Sequence, residues 1–185
     1  GTINPVKEMI ATILSAKHQV LYTAGNFNNE IGVPLTLLRL TPEDKYGVFE
    51  LGANHKGEID YTSALVRPHV ALVNNVGSAH LEGFGSQAGA AQAKSEIYNH
   101  LQQGGTAIIN ADDAFADVMR VKAKHYKQLS FSQQEGAAKR QIDVIATGHK
   151  ANSDGCYRFI LNYAGESCEV TLPLAGRHQV SNALA

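Results

Sequence analysis

The sequence predicts an α/β fold, in which a mostly parallel sheet is covered by helices on both faces and a small antiparallel β subsheet follows near the C-terminus. Helix-like and strand-like segments alternate from residue 5 to about 132, the order that a parallel sheet with helical crossovers produces. The strand segments are nearly continuous apolar runs, as expected when both sheet faces are covered. Residues 141–174 change to a period of two, which predicts the antiparallel part.

Prolines, caps and apolar spacing place the elements of the parallel part. The first helix is predicted to begin at Pro5, with Asn4 as its N-cap. The spacing of its apolar residues predicts a buried stripe that consists of Met9, Ile10, Ile13 and Leu14. Gly104 and Gly105 end the long fourth helix. The segments after the first helix are a strand over 19–25, a helix over 34–40, strands over 46–53 and 69–76 around a helix over 57–66, a helix over 87–103, a strand over 106–111, a helix over 114–125 and a strand over 127–132.

The remaining segments are strands over 142–148, 156–163 and 167–174, followed by a helix that begins near Gly176. Cys156 and Cys168 both fall in the predicted hairpin. With a turn at residues 164–166, Cys168 pairs near Tyr163 or Leu161 rather than with Cys156. We therefore expect reduced core thiols and no disulfide.

Length and composition indicate one ordinary globular domain over residues 1–185. Of the 185 residues 44% are hydrophobic and 18% charged, and the net charge of -1 favours neither nucleic acid nor an anionic membrane as a partner. No apolar run approaches the roughly 20 residues of a membrane span and no signal peptide pattern opens the chain, so we expect a cytoplasmic protein without membrane insertion. We also expect a monomer. Both ends interrupt the element pattern, which favours a piece of a longer protein.

Two side chains follow the ends of neighbouring predicted strands. Glu50 is the only acid in its apolar run, and His80 comes a few residues after the next strand, among glycines. Ligands of open α/β sheets bind beyond the carboxyl ends of the strands, and a carboxylate at that position holds Mg²⁺ in phosphate-transferring enzymes. The alternatives are a hydrated strand-terminal glutamate and a structural histidine.

Lys94 is the third candidate. It shares a predicted helix face with five apolar residues, Ala90, Ala91, Ile97, Tyr98 and Leu101, whereas Ser95, Glu96 and Asn99 belong to a polar face. Burial favours a neutral amine, which is a nucleophile. Alternatively, Lys94 snorkels past the small alanines or pairs with Glu50.

Five ordered motifs carry a family resemblance: "TAGNFNNEIGVPLTLLRL", "FELGANHKGEI", "NNVGSAHLEGFGS", "AKSEIY" and "LPLAGRHQVSNALA". Together they resemble the central domain of the Mur ligases, which has a P-loop-type α/β fold. The block "GNFNNEIGVP" is most similar to the member that adds D-alanyl-D-alanine to UDP-N-acetylmuramoyl-tripeptide in peptidoglycan synthesis. The resemblance implies N-terminal uridine-nucleotide-binding and C-terminal domains that this chain lacks.

The resemblance also implies the chemistry. ATP converts the tripeptide carboxylate into an acyl phosphate, which the amine of D-Ala-D-Ala attacks to form an amide. Glu50 and His80 match magnesium ligands of the family, and Lys94 matches a lysine that CO₂ converts into a Mg²⁺-binding carbamate. The substrate loop corresponds to Asn26, Asn28 and Asn29, and the adenine contact to Asn182 with His178 nearby. Local alternatives are a polar turn for the asparagine loop and ordinary helix-start polarity for the last two.

One family motif is missing. The phosphate loop G-x-x-G-K-T/S is replaced by "GTINPVKEM", and Lys7 lies inside the predicted helix rather than in a loop. Either the loop is altered or cut in this chain, which the interrupted ends favour, or the chain is a natural relative that lost ATP binding. We expect the chain alone to be inactive. The alternatives are a non-catalytic binding module, a Mur ligase for a different amino acid and, less well supported, a dinucleotide-dependent oxidoreductase, for which no G-x-G-x-x-G is present.

Overall fold

The computed structural model describes residues 4–77 and 81–185, and the strands form two sheets. The helices are α1 (Pro5–Ser15), α2 (Gly32–Leu37), α3 (Glu58–Val66), α4 (Leu81–Phe84), α5 (Gln87–Ser95), α6 (Ala116–Lys122) and α7 (His178–Leu184), with short 3₁₀-helices at Glu96–Tyr98 and Ala137–Arg140. The strands are β1 (Val20–Tyr22), β2 (Tyr46–Val48), β3 (Val70–Val73), β4 (Thr106–Asn110), β5 (Lys127–Ser132), β6 (Val144–Ala151), β7 (Cys156–Tyr163) and β8 (Glu166–Ala175).

The sheets have the predicted mixture of parallel and antiparallel pairing. Strands β1 and β2 form a parallel pair of their own, and the second sheet has the order β3-β4-β5-β6-β7-β8. Its first four strands are parallel, and β7 and β8 continue it in antiparallel pairing. The predicted fold class is therefore confirmed, and the 141–174 segment is an extension of the main sheet.

Two apolar clusters cover the two faces of the larger sheet. On one face Val73 and Ile109 pack with residues of α5 and α6, including Ala91 and Met119. On the other face Leu72 and Ile108 contact a cluster that contains Val180 and Leu184 of α7. Neighbouring residues of a strand point to opposite faces, so the continuous apolar runs supply both clusters.

The β7–β8 hairpin has a two-residue turn at Ala164 and Gly165, whose φ angles are 52° and 79°. Positive φ at both positions is typical of the type I′ turn, which matches the twist of the flanking strands. Cys168 lies opposite Leu161 and both cysteines are free, as predicted. Cys168 is exposed, however, and Cys156 only half-buried, so the prediction of core thiols was wrong.

The predicted 87–103 helix is shorter in the structure, and its polar face was assigned wrongly. Helix α5 ends at Ser95 and a 3₁₀ turn follows. Ser95 is fully buried and Glu96 is 5% exposed. The Glu96 carboxylate accepts hydrogen bonds from the backbone N–H groups of Gly57 (2.9 Å and 3.1 Å) and Asp60 (3.0 Å) at the start of α3. The acid therefore caps a neighbouring helix, whose N-terminal amides and dipole favour negative charge.

The buried face of α1 also differs from the predicted one. Val6, Lys7 and Ala11 are buried, whereas Ile13 is 70% exposed. Asn4 caps the helix as predicted, because its side-chain oxygen accepts hydrogen bonds from the N–H groups of Val6 (3.1 Å) and Lys7 (3.4 Å). The buried face of α1 thus contains a charged residue, Lys7.

Across the two described stretches, none of the helices combines the length and the apolar character that crossing a bilayer requires.

Candidate functional site

The loops that follow β1, β2 and β3 meet at the carboxyl edge of the strands. The Glu50 N–H donates a 3.0 Å hydrogen bond to Thr23 Oγ1, and the Gly52 N–H donates one of 2.8 Å to the Asn28 carbonyl. A Cβ at Gly83 would overlap the carbonyl oxygen of Asn54, so the segment after β3 lies directly against the segment after β2. This edge is where open α/β sheets bind ligands.

Glu50 lies two residues beyond the end of β2, and its side chain is 20% exposed. The Asn28 amide nitrogen is 3.5 Å from Glu50 Oε1, and the Lys7 ammonium is 3.7 Å from Glu50 Oε2. The carboxylate is therefore accessible and held from two sides. Carboxylate oxygens are ligands that suit Mg²⁺, which often takes only one or two carboxylates from the protein and completes its octahedron with water and phosphate oxygens.

Lys7 is the feature of this site that the sequence pattern missed. Its side chain is 3% exposed, its ammonium donates a 2.8 Å hydrogen bond to the Gly25 carbonyl oxygen, and Glu8 Oε1 lies 3.6 Å away. The residue does lie inside a helix, as expected. The spacing of Lys7, Ala11 and Leu14 could have indicated its burial, because residues four and seven positions apart lie on the same face of a helix.

Lys94 lies on the buried side of α5, as the helix pattern predicted. Ala90, Ala91 and Tyr98 are fully buried around it, and Lys94 itself is half-buried. Its ammonium donates a 3.2 Å hydrogen bond to the Asn75 carbonyl beyond the end of β3, so it contacts this loop and not Glu50. Burial lowers the pKa of the Lys94 amine below its usual value of 10.5, and the charge of Asp113 opposes part of that shift.

The predicted metal ligand His80 lies outside the described residues. Within residues 4–77 and 81–185, no group of three His, Cys, Asp or Glu side chains is close enough to hold a metal ion. Glu50 and Lys94 both reach the carboxyl edge, from the loop after β2 and from a helix that follows β3. Their roles as metal ligands remain predictions.

The three asparagines of the predicted substrate loop have different surroundings. Asn29 Oδ1 accepts hydrogen bonds from the N–H groups of Ile31 (3.1 Å) and Gly32 (2.7 Å), so it forms the polar turn that begins α2. Asn28 contacts Glu50. Asn26 is exposed, and its side chain makes no hydrogen bond to the described part of the chain. Of the three, Asn26 is the one whose side chain remains available for a ligand.

The predicted adenine contact, Asn182, is buried in α7. Its Oδ1 accepts a 2.9 Å hydrogen bond from Asn74 Nδ2, and its Nδ2 donates one of 3.0 Å to Gln179. The Asn74 Oδ1 atom is buried and has no hydrogen-bond partner within the described residues. His178, one turn away from Asn182, is exposed at the first position of α7. These two residues thus lie on one helix beside the end of β3.

Comparison with known proteins extends these observations. The UDP-N-acetylmuramoyl-tripeptide--D-alanyl-D-alanine ligase of Escherichia coli (strain K12) is 51% identical over 180 residues, which are 97% of this chain and 39% of the relative. A crystal structure of MurF from Acinetobacter baumannii matches with 44% identity and a TM-score of 0.91 over 100% of this chain and 39% of that one. This chain therefore spans about two fifths of the length of these relatives.

A second solved structure is titled MurF ligase from Thermotoga maritima in complex with ADP. It is 27% identical, has a TM-score of 0.78, and is matched over 97% of this chain and 40% of its own length. The family model described as Mur ligase middle domain matches residues 5–185. The chain therefore belongs to the Mur ligase middle domain family.

Proposed function

We propose that this chain is the central catalytic domain of an ATP-dependent amide ligase that adds D-alanyl-D-alanine to UDP-N-acetylmuramoyl-tripeptide in the cytoplasm. The observation that carries the proposal is the 51% identity to a ligase of that name across 97% of the chain. The accessible Glu50 carboxylate beyond β2 and the half-buried Lys94, bound to the loop beyond β3, agree with it. The nucleotide-sugar and dipeptide sites are completed by N-terminal and C-terminal domains outside residues 1–185.

Each candidate residue has a role that its surroundings allow. Glu50 holds Mg²⁺, which when bound offsets the negative charge of ATP and of the acceptor carboxylate. The Lys94 amine loses a proton more readily than an exposed lysine, so its nitrogen can form a bond to the carbon of CO₂. Release of one proton leaves a carbamate, whose oxygens are hard ligands. Asn26 contacts the nucleotide-sugar substrate, and Asn182 with His178 lies beside the adenine. His80 is the further metal ligand.

The role of Glu50 is tested in the complete ligase that contains this domain. Glu50→Gln is expected to lower the rate of ATP-dependent amide formation at least a hundredfold, because a neutral amide binds Mg²⁺ poorly. Glu43→Gln is the matched control, since Glu43 is exposed and precedes β2 at the opposite edge of the strands. Equal rates for the Glu50 variant and the control would contradict the proposal.

The role of Lys94 has a direct spectroscopic test on the chain itself. In ¹³C-bicarbonate we expect a carbamate carbonyl signal in the NMR spectrum that is lost in Lys94→Arg, because arginine keeps its proton. The exposed Lys17→Arg is the control and should retain the signal. A spectrum that is the same in the wild type and Lys94→Arg would contradict the carbamate on Lys94. The proposal of an amide ligase would then depend on the result for Glu50→Gln.

A non-catalytic binding module is the second candidate, and the start of α1 favours it. The sequence there lacks the phosphate-loop lysine and hydroxyl residue, and the Asn4 side chain already accepts from the first free amides of the helix. Calorimetry of this chain with Mg-ATP tests the second candidate, since only binding of Mg-ATP would count against it. Strong binding would argue against a lost phosphate site, and no binding is what we expect of the isolated chain.

A further inference from the structure

We propose that Lys7 is a positioning residue of this site. Its buried ammonium ties the Gly25 carbonyl oxygen to the Glu50 carboxylate, so that residues 25–29 and the acid beyond β2 keep one relative position. The inference rests on the proposed function, because the loop and the acid are the groups that would meet the substrate and the metal ion.

The position of the lysine carries the first step. A side chain that is 3% exposed places its charge almost entirely out of water, which is costly unless the charge is compensated. Lys7 has one hydrogen bond of 2.8 Å to Gly25 and two carboxylates at 3.6 Å and 3.7 Å, which belong to Glu8 and Glu50. Glu8 is the neighbour of Lys7 on α1, whereas Gly25 follows β1 and Glu50 follows β2, so the buried ammonium fixes the last two relative to one another and to α1.

The charge balance carries the second step. One ammonium faces two carboxylates, so Lys7, Glu8 and Glu50 together have a net charge of one negative unit. Lys7 therefore reduces the repulsion between Glu8 and Glu50 and still leaves the group attractive to a cation. The ammonium lies 3.7 Å from Glu50 Oε2, and Glu50 Oε1 lies 3.5 Å from the Asn28 amide nitrogen.

The loop contacts carry the third step. The loop is attached at Gly25 through Lys7 and at Asn28 through the 2.8 Å hydrogen bond from the Gly52 N–H. A Cβ at Gly52 would come within 2.7 Å of the Asn28 amide, so the two segments approach as closely as glycine permits. The exposed Asn26 lies between these two attachments. Removing the lysine therefore frees one end of the segment that presents Asn26.

Amide hydrogen exchange of the 185-residue chain tests the inference without metal or substrate. In Lys7→Met we expect exchange of the Gly52 N–H to become at least tenfold faster, while exchange of the Ile108 N–H in the central strand β4 stays within twofold of the wild type. The exposed Lys17→Met is the matched control and should change neither. Unchanged Gly52 exchange would overturn the inference. An equal acceleration at Gly52 and Ile108 would also overturn it, since the lysine would then contribute to global stability only.

A second variant approaches the same contact from its other end. Glu50→Gln removes the charge that faces Lys7 and, at a side chain that is partly exposed, carries less risk of misfolding. We expect lower ¹⁵N order parameters for the amides of residues 25–28, because the ammonium then faces a neutral amide and links the loop to residue 50 less strongly. Order parameters equal to those of the wild type would overturn the coupling even if Lys7→Met does not fold.

Kinetics of the complete ligase add a functional measurement. Lys7→Met should raise the KM for the nucleotide-sugar substrate and lower kcat, each at least fivefold, whereas Lys7→Arg, which keeps the cation, should recover part of kcat. If Glu50→Gln leaves amide formation intact, the proposed function fails while the exchange experiment still decides the role of Lys7. If Glu50→Gln abolishes it and Lys7→Met alters neither exchange nor kinetics, only the positioning role fails.

Discussion

Asn74 and Asn182, which are 108 residues apart in the sequence, are joined by a 2.9 Å hydrogen bond between their side chains. The bond attaches the end of β3 to the middle of α7. Asn182 is 8% exposed, and its own amide group donates to Gln179. The site edge of the sheet and the last helix are therefore held together by a short polar chain within an otherwise apolar interface.

Asn182→Ala should lower the free energy of unfolding by about 1–3 kcal/mol, because it leaves the Asn74 amide buried without its acceptor. Urea denaturation followed by circular dichroism measures the loss. His178→Ala, on the exposed side of the same helix, should change the free energy of unfolding by less than about 0.5 kcal/mol. Similar losses for the two variants would show that the bond contributes nothing beyond the packing of α7.

The Glu96 cap gives a second stability prediction. Glu96→Ala should cost about 2–3 kcal/mol, because the Gly57 and Asp60 N–H groups lose a charged acceptor at the start of α3. Glu96→Gln retains one acceptor oxygen and should lose roughly half as much. Urea unfolding measures both variants, with the exposed Glu43→Ala as control. An alanine variant as stable as the control would contradict the assignment of Glu96 as a cap.

Lys94 predicts a pH dependence of stability. Its pKa is lowered in the folded chain, so between that pKa and the ordinary value of 10.5 the unfolded chain binds more protons than the folded one. The free energy of unfolding of the wild type relative to Lys94→Met should therefore rise as the pH increases through this window. Below the lowered pKa the burial penalty is fully present, and the difference should be constant.

Urea titrations at several pH values below and up to 10.5 measure this difference. Lys124 is exposed, so the corresponding comparison with Lys124→Met should not change with pH. A wild-type stability that falls relative to Lys94→Met as the pH rises would show that the lysine gains a charged partner in the folded state, contrary to its surroundings here.

The contact between Gly83 and Asn54 gives a prediction about loop placement. Gly83→Ala should destabilise the chain by about 1–3 kcal/mol, because the new methyl group overlaps the Asn54 carbonyl and one of the two segments must move. Amide chemical shifts of residues 52–56 should change with it. Gln87→Ala, at the exposed first position of α5, should leave those shifts unchanged. Unaltered shifts in the Gly83 variant would show that the two loops are not in contact in solution.

Much of the fold follows from the sequence because the signals for it are local. Pro5 and Asn4 place the start of α1, and the apolar alternation places the antiparallel strands. The same local signals locate Lys94, since its helical neighbours are small and apolar. The polar contacts of Lys7 and Glu96 depend on backbone groups of residues distant in the sequence, which no periodic pattern contains. The prediction of the buried face of α1 was wrong for a related reason. The helix has several partly apolar faces, and tertiary packing buries the one that contains Lys7.

The division into two sheets has a consequence for the site. Glu50 follows the β1–β2 pair, while Lys94 is bound to the loop beyond β3, and no ladder hydrogen bond connects these sheets within the described residues. Their separation is therefore set by side-chain packing, by the crossover through α3 and by contacts such as the Glu96 cap on that helix. Weakening that packing by pressure or by mild denaturant would change the spacing between the acid and the amine while both ladders stay intact.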